Sequence, residues 1–521
     1  MSEPTAPSAT ILRVEEPDAF SRSRPGVPLA IWAAIAAAAV LRFGWLSRWP
    51  LWVDELATLQ RLRLSFTDHL LAMRGNHPLY EILLRLWARP DAGDAWLRVP
   101  SAALGVLAVW LTWRLLCRLG RREAVVGAWL MALSPLHVMY SRMARSYSLA
   151  VALALLSHLA LLAALRRRKA WLYVAYAVTT VLMVYANLLT CGVWAGQVLF
   201  LLWFFRRHWR RLGPWALAHA GTAALLFPWM RYSFVGAVTW GADTQYTARQ
   251  YGRAAKAAYQ ALTLCLGETV HPLNPWVVPL AAAVFGGALV WAALRALRRR
   301  GGMPCYLFAQ VVVVYASGLA FAAAAAKHLA AVLPAWLGLV ALALVRIRGR
   351  GLRIALGAVV FGAMCASDAN YFLGREFADA DMVTPWRRIA GAVERGEEPG
   401  DALFIGYRMD RGACDMFARY YSGALVPEHV NFDRWGEQIS CAEEGRRQVF
   451  LLLHDGDPWR DVETWLRERG RQAEMTPFQT EEHTLRRIRE TGLFGSGEAY
   501  RSPLYRLYRY RSDEHRREPE Q

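Results

Sequence analysis

The sequence contains few charged residues, and acidic residues are the scarcer kind. Asp, Glu, Lys and Arg make up 20% of the 521 residues, and Lys and Arg outnumber Asp and Glu by 61 to 42. Apolar and aromatic residues make up 55%, which is too much for one soluble core of ordinary composition. A wholly soluble protein is therefore excluded, and we expect most of the chain to lie in a membrane.

Three further features are missing. No glycine-rich phosphate loop stands at a strand-to-helix junction, so the sequence gives no reason to expect a nucleotide site of that kind. No internal repeat is evident, which disfavours the transporter folds that are built from repeated halves. No signal-peptidase site of small residues follows the first apolar run, so we expect that run to be retained as a membrane span.

Cysteine is scarce, with seven residues. Five of them lie in or beside apolar runs, where packing as a small apolar side chain is the expected role. Cys414 and Cys441 lie in the hydrophilic C-terminal part of the chain. A disulfide between them is one interpretation and two free thiols are the other, because the sequence gives no information on their distance.

Apolar runs of about 20 residues, the length that a helix needs to cross a bilayer, recur along the first two thirds of the chain. We predict about eleven membrane-spanning helices from these runs. They cover residues 27–46, 99–117, 124–139, 147–165, 171–185, 191–205, 214–230, 276–294, 303–326, 329–345 and 352–367.

Clusters of arginine and lysine predict the orientation of these spans, because short basic loops stay in the cytoplasm. The clusters mark every second connection, at residues 118–122, 166–169, 206–211, 295–300 and 346–353. A cytoplasmic tail over residues 1–26 and an outer loop over residues 48–98 follow from this rule. The net charge of +19 is then explained by topology and by contact with lipid headgroups, and we predict no binding of nucleic acid.

The fold class predicted from these patterns is a polytopic α-helical membrane protein with a C-terminal soluble α/β domain. The membrane domain covers residues 27–369, and an exported soluble domain covers residues 370–521. Within the latter, helical and strand-like segments alternate. Residues 386–393 and 459–469 are predicted as helices, and residues 402–406, 449–454 and 504–510 as strands.

The outer loop 48–98 begins with the stretch RWPLWVDELATLQ, which places Asp54 and Glu55 among tryptophan and leucine. An amphipathic helix at the membrane surface would partly desolvate the two carboxylates. A desolvated Asp can take a proton from an attacking hydroxyl or amine, although a solvated loop face is the simpler interpretation. A metal bound by Asp54, Glu55 and His77 fits by ligand type but not by spacing, so we predict no cofactor without excluding a divalent metal.

Basic side chains interrupt two other connections that are predicted to face outward. Arg142 and Arg145 lie in the stretch LSPLHVMYSRMARSYSLA, and Lys327 with His328 lies in AAAAAKHLAAVLPAW. Each is explained either by a side chain that reaches the lipid headgroups or by binding of a phosphate. A phosphate carried on a lipid would lie at the depth of these side chains.

The order of these motifs resembles the GT-C superfamily of integral-membrane glycosyltransferases, in the branch of the dolichyl-phosphate-mannose protein mannosyltransferases and the aminoarabinose transferase. The resemblance covers most of residues 27–345. It rests on the acidic pair after the first span, the HPLY stretch, the LSP stretch with its following arginines, and the late basic hairpin. A further motif contributes Arg98, Pro100, Ser101, Ala102, Leu104 and Gly105.

The resemblance implies an inverting transfer of a sugar from a polyprenyl phosphate to a glycan, lipid or protein on the outer face of the cytoplasmic membrane. It implies a direct displacement with Asp54 as the base and Glu55 as its acidic neighbour. The resemblance and the chemistry of the residues together give two further groups of site residues. The donor phosphate is assigned to Arg142, Arg145, Lys327 and His328, and the substrate to His77, Tyr80, Glu81 and Tyr147.

Two departures from the family pattern stand out. Arg142 and Met143 replace a Gln-Glu pair, so a second carboxylate expected there is missing, and Leu79 replaces a proline after His-Pro. Asp243 or Glu268 could supply the missing carboxylate. A different class of function stays open, namely a transporter or flippase of lipid-linked saccharides, although that class places ionisable groups near the membrane midplane and not at one face.

Overall fold

The computed structural model describes most of the chain in ranges separated by short gaps. The described residues are 27–72, 78–89, 92–206, 209–243, 248–299, 302–321, 324–377, 380–406, 412–430, 434–443, 445–454, 457–479 and 504–512. The chain divides into two compact units. The first, called the membrane unit, contains residues up to Leu46 and Arg61–Tyr371, and the second, called the C-terminal unit, contains Ser47–Gln60 and the residues from Phe372 onward.

All regular secondary structure in the described part of the membrane unit is helical. Its helices are α1 (Leu29–Phe43), α3 (Phe66–Ala72), α4 (Pro78–Trp87), α5 (Asp94–Leu116), α6 (Arg121–Ala132), α7 (Pro135–Ser141), α8 (Tyr147–Arg167), α9 (Ala170–Ala186), α10 (Cys191–Phe205), α11 (Gly213–Asp243), α12 (Ala248–Leu266), α13 (Val277–Arg299), α14 (Gly302–Ala320), α15 (Leu333–Arg346) and α16 (Arg350–Leu373). Helix α2 (Val53–Leu62) begins in the C-terminal unit. A 3-10 helix, Ala326–Val332, leads directly into α15.

Every predicted span overlaps a helix or a broken helix of the structure. Among the described residues, seven helical segments are long and apolar enough to cross a membrane, or eight if α6 and α7 form one bent span. Helices α1 and α9 are apolar but shorter, so the predicted number of about eleven is not confirmed by length and hydropathy. The prediction of a polytopic helical membrane protein is confirmed.

Burial separates central helices from peripheral ones. Buried residues make up 78% of the most apolar stretch of α8 and 89% of that in Ala326–Arg346, so these helices form the centre of the membrane unit. The corresponding share is 22% in both α13 and α16. Apolar side chains on the outer helices are therefore left for lipid, as expected of a protein whose solvent is the bilayer.

Helices α6 and α7 meet at a bend of 53°, because Pro135 cannot continue the hydrogen-bond pattern of α6. Such a bend leaves the last carbonyls of α6 without helical donors. The guanidinium of Arg42, near the end of α1, donates to the carbonyl oxygens of Ala132 at 3.0 Å and Met131 at 3.2 Å. Its Nη2 also donates to Nδ1 of His137 at 2.8 Å, which places the neutral histidine's proton on Nε2.

Arg142 makes the reciprocal connection from the end of α7. Its guanidinium donates to four carbonyl oxygens at and beyond the end of α1, those of Leu41, Arg42, Gly44 and Trp45, at 2.6 to 3.1 Å. The side chain is 2% exposed, and Asp368 on α16 is near enough to interact with the charge of both arginines. We call Arg42 and Arg142 the arginine clamp. Arg42 caps the end of α6, and Arg142 caps the end of α1.

The C-terminal unit has an α/β fold. Its remaining elements are α17 (Trp386–Glu394), β1 (Ala402–Gly406), α18 (Gly412–Tyr420), β2 (Pro427–Val430), α19 (Trp435–Glu443), β3 (Gln448–His454), α20 (Trp459–Glu468), β4 (Glu474–Gln479) and β5 (Leu504–Arg511). The strands form one sheet in the order β2-β1-β3-β5-β4, in which β2, β1 and β3 are parallel and β5 is antiparallel to both of its neighbours. The predicted α/β class is confirmed.

Both faces of this sheet are covered. One face carries Leu403, Phe450 and Leu452 against α17 and α18, and the other carries Phe404 and Leu451 against α19 and α20. Such double coverage explains why β1 and β3 are almost continuously apolar. Cys414 and Cys441 form no disulfide with each other, because α18 and α19 pack on opposite faces of the sheet.

Replacing Arg142 by Met should lower the thermal stability of the protein in detergent. The change removes the donors of four backbone carbonyls, and a buried acceptor left unpaired costs on the order of 1–3 kcal/mol. Arg206→Met is the control, since Arg206 is exposed and surface changes stay within about 0.5 kcal/mol. Thermal unfolding of the purified variants measures the difference, and equal melting temperatures for Arg142→Met and the parent would contradict the clamp.

Candidate active site

The acidic pair lies in the first turn of α2, within the C-terminal unit. The Glu55 carboxylate accepts a hydrogen bond from the Trp52 backbone N–H at 3.0 Å, and the Trp52 carbonyl accepts from the Glu55 N–H at 2.9 Å. This reciprocal pairing is the glutamate half of a capping box, which satisfies a donor at the helix start. Glu55 is fully buried, whereas Asp54 is half-buried. The pair is therefore split into one helix-capping carboxylate and one that keeps access to solvent.

Glu81 lies on the buried face of α4 in the membrane unit. Arg61 donates to its two carboxylate oxygens at 3.0 and 2.5 Å, and His69 Nε2 lies 3.0 Å from Oε2. A two-pronged arginine contact of this kind is strong and directional. Glu81 therefore ties α4 to the end of α2 and to α3. His77, which was predicted together with it, lies outside the described residues.

Tyr80 connects α4 to the turn between α7 and α8. Its hydroxyl lies 2.7 Å from Ser101 Oγ, and Ser101 Oγ donates to the backbone carbonyl of Arg145 at 3.0 Å. Because a serine hydroxyl has one proton, Tyr80 is the donor in the first of these bonds. The serine of the predicted motif thus fixes the backbone at Arg145.

The two arginines predicted to bind phosphate differ in their surroundings. Arg142 directs its donors to carbonyl oxygens around the end of α1, as described above, and its Nε lies 3.3 Å from the Tyr371 hydroxyl. Arg145 lies three residues further on, in the turn that precedes α8, and is 6% exposed. The two arginines therefore differ in their surroundings, and Arg142 has a structural task of its own.

A cluster of polar side chains surrounds the start of α8. The Tyr147 ring meets the Tyr140 ring edge-on at 4.9 Å and the His328 ring edge-on at 6.1 Å. Tyr140 donates its hydroxyl proton to Glu268 Oε2 at 2.5 Å. Lys327 is near enough to interact with the charge of Glu268. We call these five residues the α8 cluster.

Glycine is required where Glu268 enters this cluster. Gly267 ends α12 with φ of +71°, which a residue with a Cβ adopts at a cost. A Cβ there would also lie 2.8 Å from Pro135 Cβ. On the other side, Thr269 Oγ1 lies 2.8 Å from Ser367 Oγ, and Asn370 donates to the Thr269 carbonyl at 2.8 Å. The turn is therefore held tightly on both sides of the carboxylate.

The surroundings of Glu268 favour the neutral form of its carboxyl group more than bulk water would. Burial raises the pKa of Glu268 above its ordinary value of 4.5, while the hydrogen bond from Tyr140 and the charge of Lys327 act in the opposite direction. A carboxyl group with a raised pKa beside a lysine is typical of functional sites, although structural ion pairs show the same pattern.

Sequence reasoning found some members of the α8 cluster and missed another. Tyr147, Lys327 and His328 were predicted as site residues, and Glu268 was named only as one of two stand-ins for a missing carboxylate. Tyr140 was not predicted, because its contact with Tyr147 depends on the turn between α7 and α8 and its bond to Glu268 joins distant parts of the chain. The side chain of Asp243, the other stand-in, lies outside the described part of the structure.

No group of three or more His, Cys, Asp or Glu side chains has the geometry to hold a metal ion within the ranges that the structure describes. A site without a cofactor stays a prediction.

Comparison with known proteins identifies relatives by sequence pattern and by fold. A family model described as dolichyl-phosphate-mannose-protein mannosyltransferase matches residues 78–232. No curated protein matches the chain. Among solved structures, ArnT from Cupriavidus metallidurans in the apo state has a TM-score of 0.54 and 12% identity, and the match covers 94% of this chain and 99% of that one.

Two further solved structures are similar to the chain. ArnT from Cupriavidus metallidurans bound to undecaprenyl phosphate has a TM-score of 0.52 and 11% identity, over 94% of this chain and 99% of that one. An oligosaccharyltransferase from Archaeoglobus fulgidus, in complex with zinc and sulfate, has a TM-score of 0.49 and 14% identity, over 81% of this chain and 67% of that one.

The fold of the chain is that of the two ArnT structures over nearly its whole length. The family model independently covers α4 to the first part of α11. The resemblance to the GT-C superfamily that the motifs predicted is thereby confirmed.

The stability of Glu268→Gln relative to that of the parent should increase as the pH rises. Because the folded protein binds the Glu268 proton more tightly than the unfolded chain, this group stabilises the fold fully only below the unfolded pKa, and the contribution is lost as the pH rises through the raised folded pKa. A glutamine keeps an acceptor for Tyr140 and does not titrate. Thermal unfolding at a series of pH values measures the difference in melting temperature between variant and parent, which should grow above about pH 4.5.

Glu394→Gln is the matched control for this measurement. Bonds from the backbone N–H and the hydroxyl of Ser422 lower the pKa of Glu394, so its titration has the opposite sign. A pH trend for Glu268→Gln that matched the trend for Glu394→Gln would contradict the burial of a proton-binding carboxyl group in the α8 cluster.

Proposed function

We propose that this protein is a glycosyltransferase that moves a sugar from a polyprenyl phosphate to an acceptor on the outer face of the cytoplasmic membrane. The observation that carries the proposal is the α8 cluster, in which a lysine, a histidine, two tyrosines and a carboxyl group meet in the membrane unit of a GT-C-like fold. The ArnT structure with undecaprenyl phosphate supports a lipid phosphate as the leaving group. The acceptor is a glycan, a lipid or a protein.

The reaction is a single displacement at the anomeric carbon. The acceptor oxygen or nitrogen forms a bond to that carbon as the bond to the phosphate oxygen breaks, and the electron pair of the broken bond leaves with the polyprenyl phosphate. Asp54 takes the proton of the acceptor. Attack from the face opposite to the leaving group inverts the configuration.

The leaving phosphate needs positive charge and little protonation. Lys327 and Arg145 supply this charge in the proposal, and His328 lies beside Lys327. The hydrogen bonds from Tyr80 through Ser101 to the Arg145 carbonyl support the assignment, because they fix the turn that carries this arginine. Arg142 holds the same turn through the arginine clamp, so we assign it a structural role in place of direct phosphate binding.

Some of the other predicted residues have a structural role, and others are assigned to the substrate. Glu55 caps α2 and thereby orients the helix turn that carries Asp54. Glu81 fixes α4 through its contact with Arg61. Tyr147 lies in the α8 cluster, and we assign it to the sugar. Glu268 joins these residues as a substitute for the carboxyl group that the family pattern has at position 143, where this chain has methionine.

Transport of a lipid-linked saccharide without chemistry is the alternative. Such a protein places ionisable groups deep in the membrane. A buried network of polar side chains does connect α8, α9, α10 and α14, through His158, Tyr176, Gln197 and Tyr306. Its members bond to one another across helices, which is the usual way for polar residues to join membrane helices. The network therefore favours the alternative only weakly.

Asp54→Asn should abolish most of the transfer activity. General-base catalysis contributes about 10²–10⁴-fold, so a loss of at least about a hundredfold is expected in purified protein supplied with polyprenyl-phosphate sugars and a panel of glycan, lipid and peptide acceptors. Asp68→Asn, an exposed residue on α3, is the control. Transfer by Asp54→Asn at the parent rate, in protein with unchanged thermal unfolding, would remove Asp54 as the base.

A further inference from the structure

The segment that carries Asp54 folds with the C-terminal unit, although the rest of the loop after the first span belongs to the membrane unit. Residues Ser47–Gln60 form one compact unit with the residues from Phe372 onward. More than 300 residues of chain separate the two parts of this unit. We call Ser47–Gln60 the acid segment.

An apolar contact anchors the middle of the acid segment. Leu56 is 7% exposed and belongs to the core on one face of the sheet, with Trp386 and Ile389 of α17 and Phe417 of α18. A buried leucine is stabilised by the removal of its surface from water. The residue next to Glu55 is thus part of the core of the C-terminal unit.

Hydrogen bonds hold both ends of the segment. Before α2, the Leu51 N–H donates to the Tyr420 hydroxyl at 2.6 Å, and Arg387 donates to the Ser47 carbonyl at 2.8 Å. Near the end of α2, Gln60 donates to the Asp415 carboxylate at 2.6 Å. These contacts reach α17 and both ends of α18, so the segment is fixed at three separate points.

Trp49 and Gly374 show how closely the chain packs here. The Trp49 ring lies edge-on to Phe377 at 6.2 Å. Gly374 has φ of +75°, and a Cβ on it would lie 2.7 Å from the Trp49 ring. A side chain at position 374 would therefore push the start of the acid segment away.

We propose that the C-terminal unit serves to position Asp54 for proton transfer, with Tyr420 and Leu56 as the positioning contacts. The inference rests on the proposed function, in which Asp54 is the base. A catalytic group that is misplaced by about 1 Å loses roughly a hundredfold in rate, and a helix of ten residues does not hold its place by itself. The C-terminal unit supplies the core and the hydrogen bonds that hold it.

The first test compares two Tyr→Phe variants of the full-length protein. Tyr420→Phe removes the acceptor of the Leu51 N–H, whereas Tyr508→Phe removes a bond to Glu463 elsewhere in the same unit. We expect Tyr420→Phe to lower kcat about fivefold, as the loss of one hydrogen bond allows, with an unchanged KM for the polyprenyl-phosphate sugar. Amide hydrogen exchange in residues 48–60 should become faster. Tyr508→Phe should change neither kcat nor that exchange.

The second test removes apolar contacts of similar size on the two faces of the sheet. Leu56→Ala shortens the anchor of the acid segment, and Ile439→Ala shortens a buried side chain of the opposite core. Both should lower the melting temperature, but only Leu56→Ala should lower kcat by tenfold or more. This comparison separates positioning from a general loss of stability.

Two results would overturn the positioning role. One is faster exchange at residues 48–60 in Tyr420→Phe with undiminished kcat, and the other is an equal loss of kcat in Leu56→Ala and Ile439→Ala. Failure of the proposed function gives a different result, because Asp54→Asn would then keep the parent rate. A C-terminal unit that only recruits partners would leave kcat for a small acceptor unchanged in all four variants.

Discussion

The pairing of guanidinium groups with helix-end carbonyls is the interaction on which the membrane unit depends. A carbonyl without a donor is expensive where no water is present, and a charge is expensive as well. The arginine clamp solves both problems, since Arg42 and Arg142 satisfy the open ends of α6 and α1 and bring their charge near Asp368. The bend at Pro135 is possible because of this pairing.

The clamp determines where the site can form. It holds the short helix α7 and the turn after it, and this turn leads to Arg145 and Tyr147. Tyr140 on α7 reaches Glu268, while the 3-10 helix that begins at Ala326 brings Lys327 and His328 to the same cluster. Polar side chains from distant parts of the sequence thus meet around one helix start in the membrane unit. The acidic partner in the proposed reaction, Asp54, is held by a different set of contacts in the C-terminal unit.

Much of this arrangement follows from local sequence, and some of it does not. The length of the apolar runs predicted the helices. The near-continuous apolar runs at β1 and β3 predicted two central strands, because a strand that is buried on both faces does not alternate polar and apolar residues. Strands β2 and β4 were not predicted, because Pro427 in β2 and the polar residues of β4 interrupt the apolar pattern that indicates a strand. The roles of Arg42, Tyr140 and Glu268 and the docking of Leu56 depend on contacts between residues far apart in the chain, which no local pattern records.

Binding of undecaprenyl phosphate to the purified protein tests the central claim, that cations of the α8 cluster recognise a lipid phosphate. The affinity of Lys327→Gln should fall about tenfold or more, because a charged hydrogen bond contributes about 1.5–3 kcal/mol. Lys169→Gln, which changes an exposed lysine between α8 and α9, should bind as the parent does. Equal affinity of Lys327→Gln and the parent, with intact folding, would contradict the account.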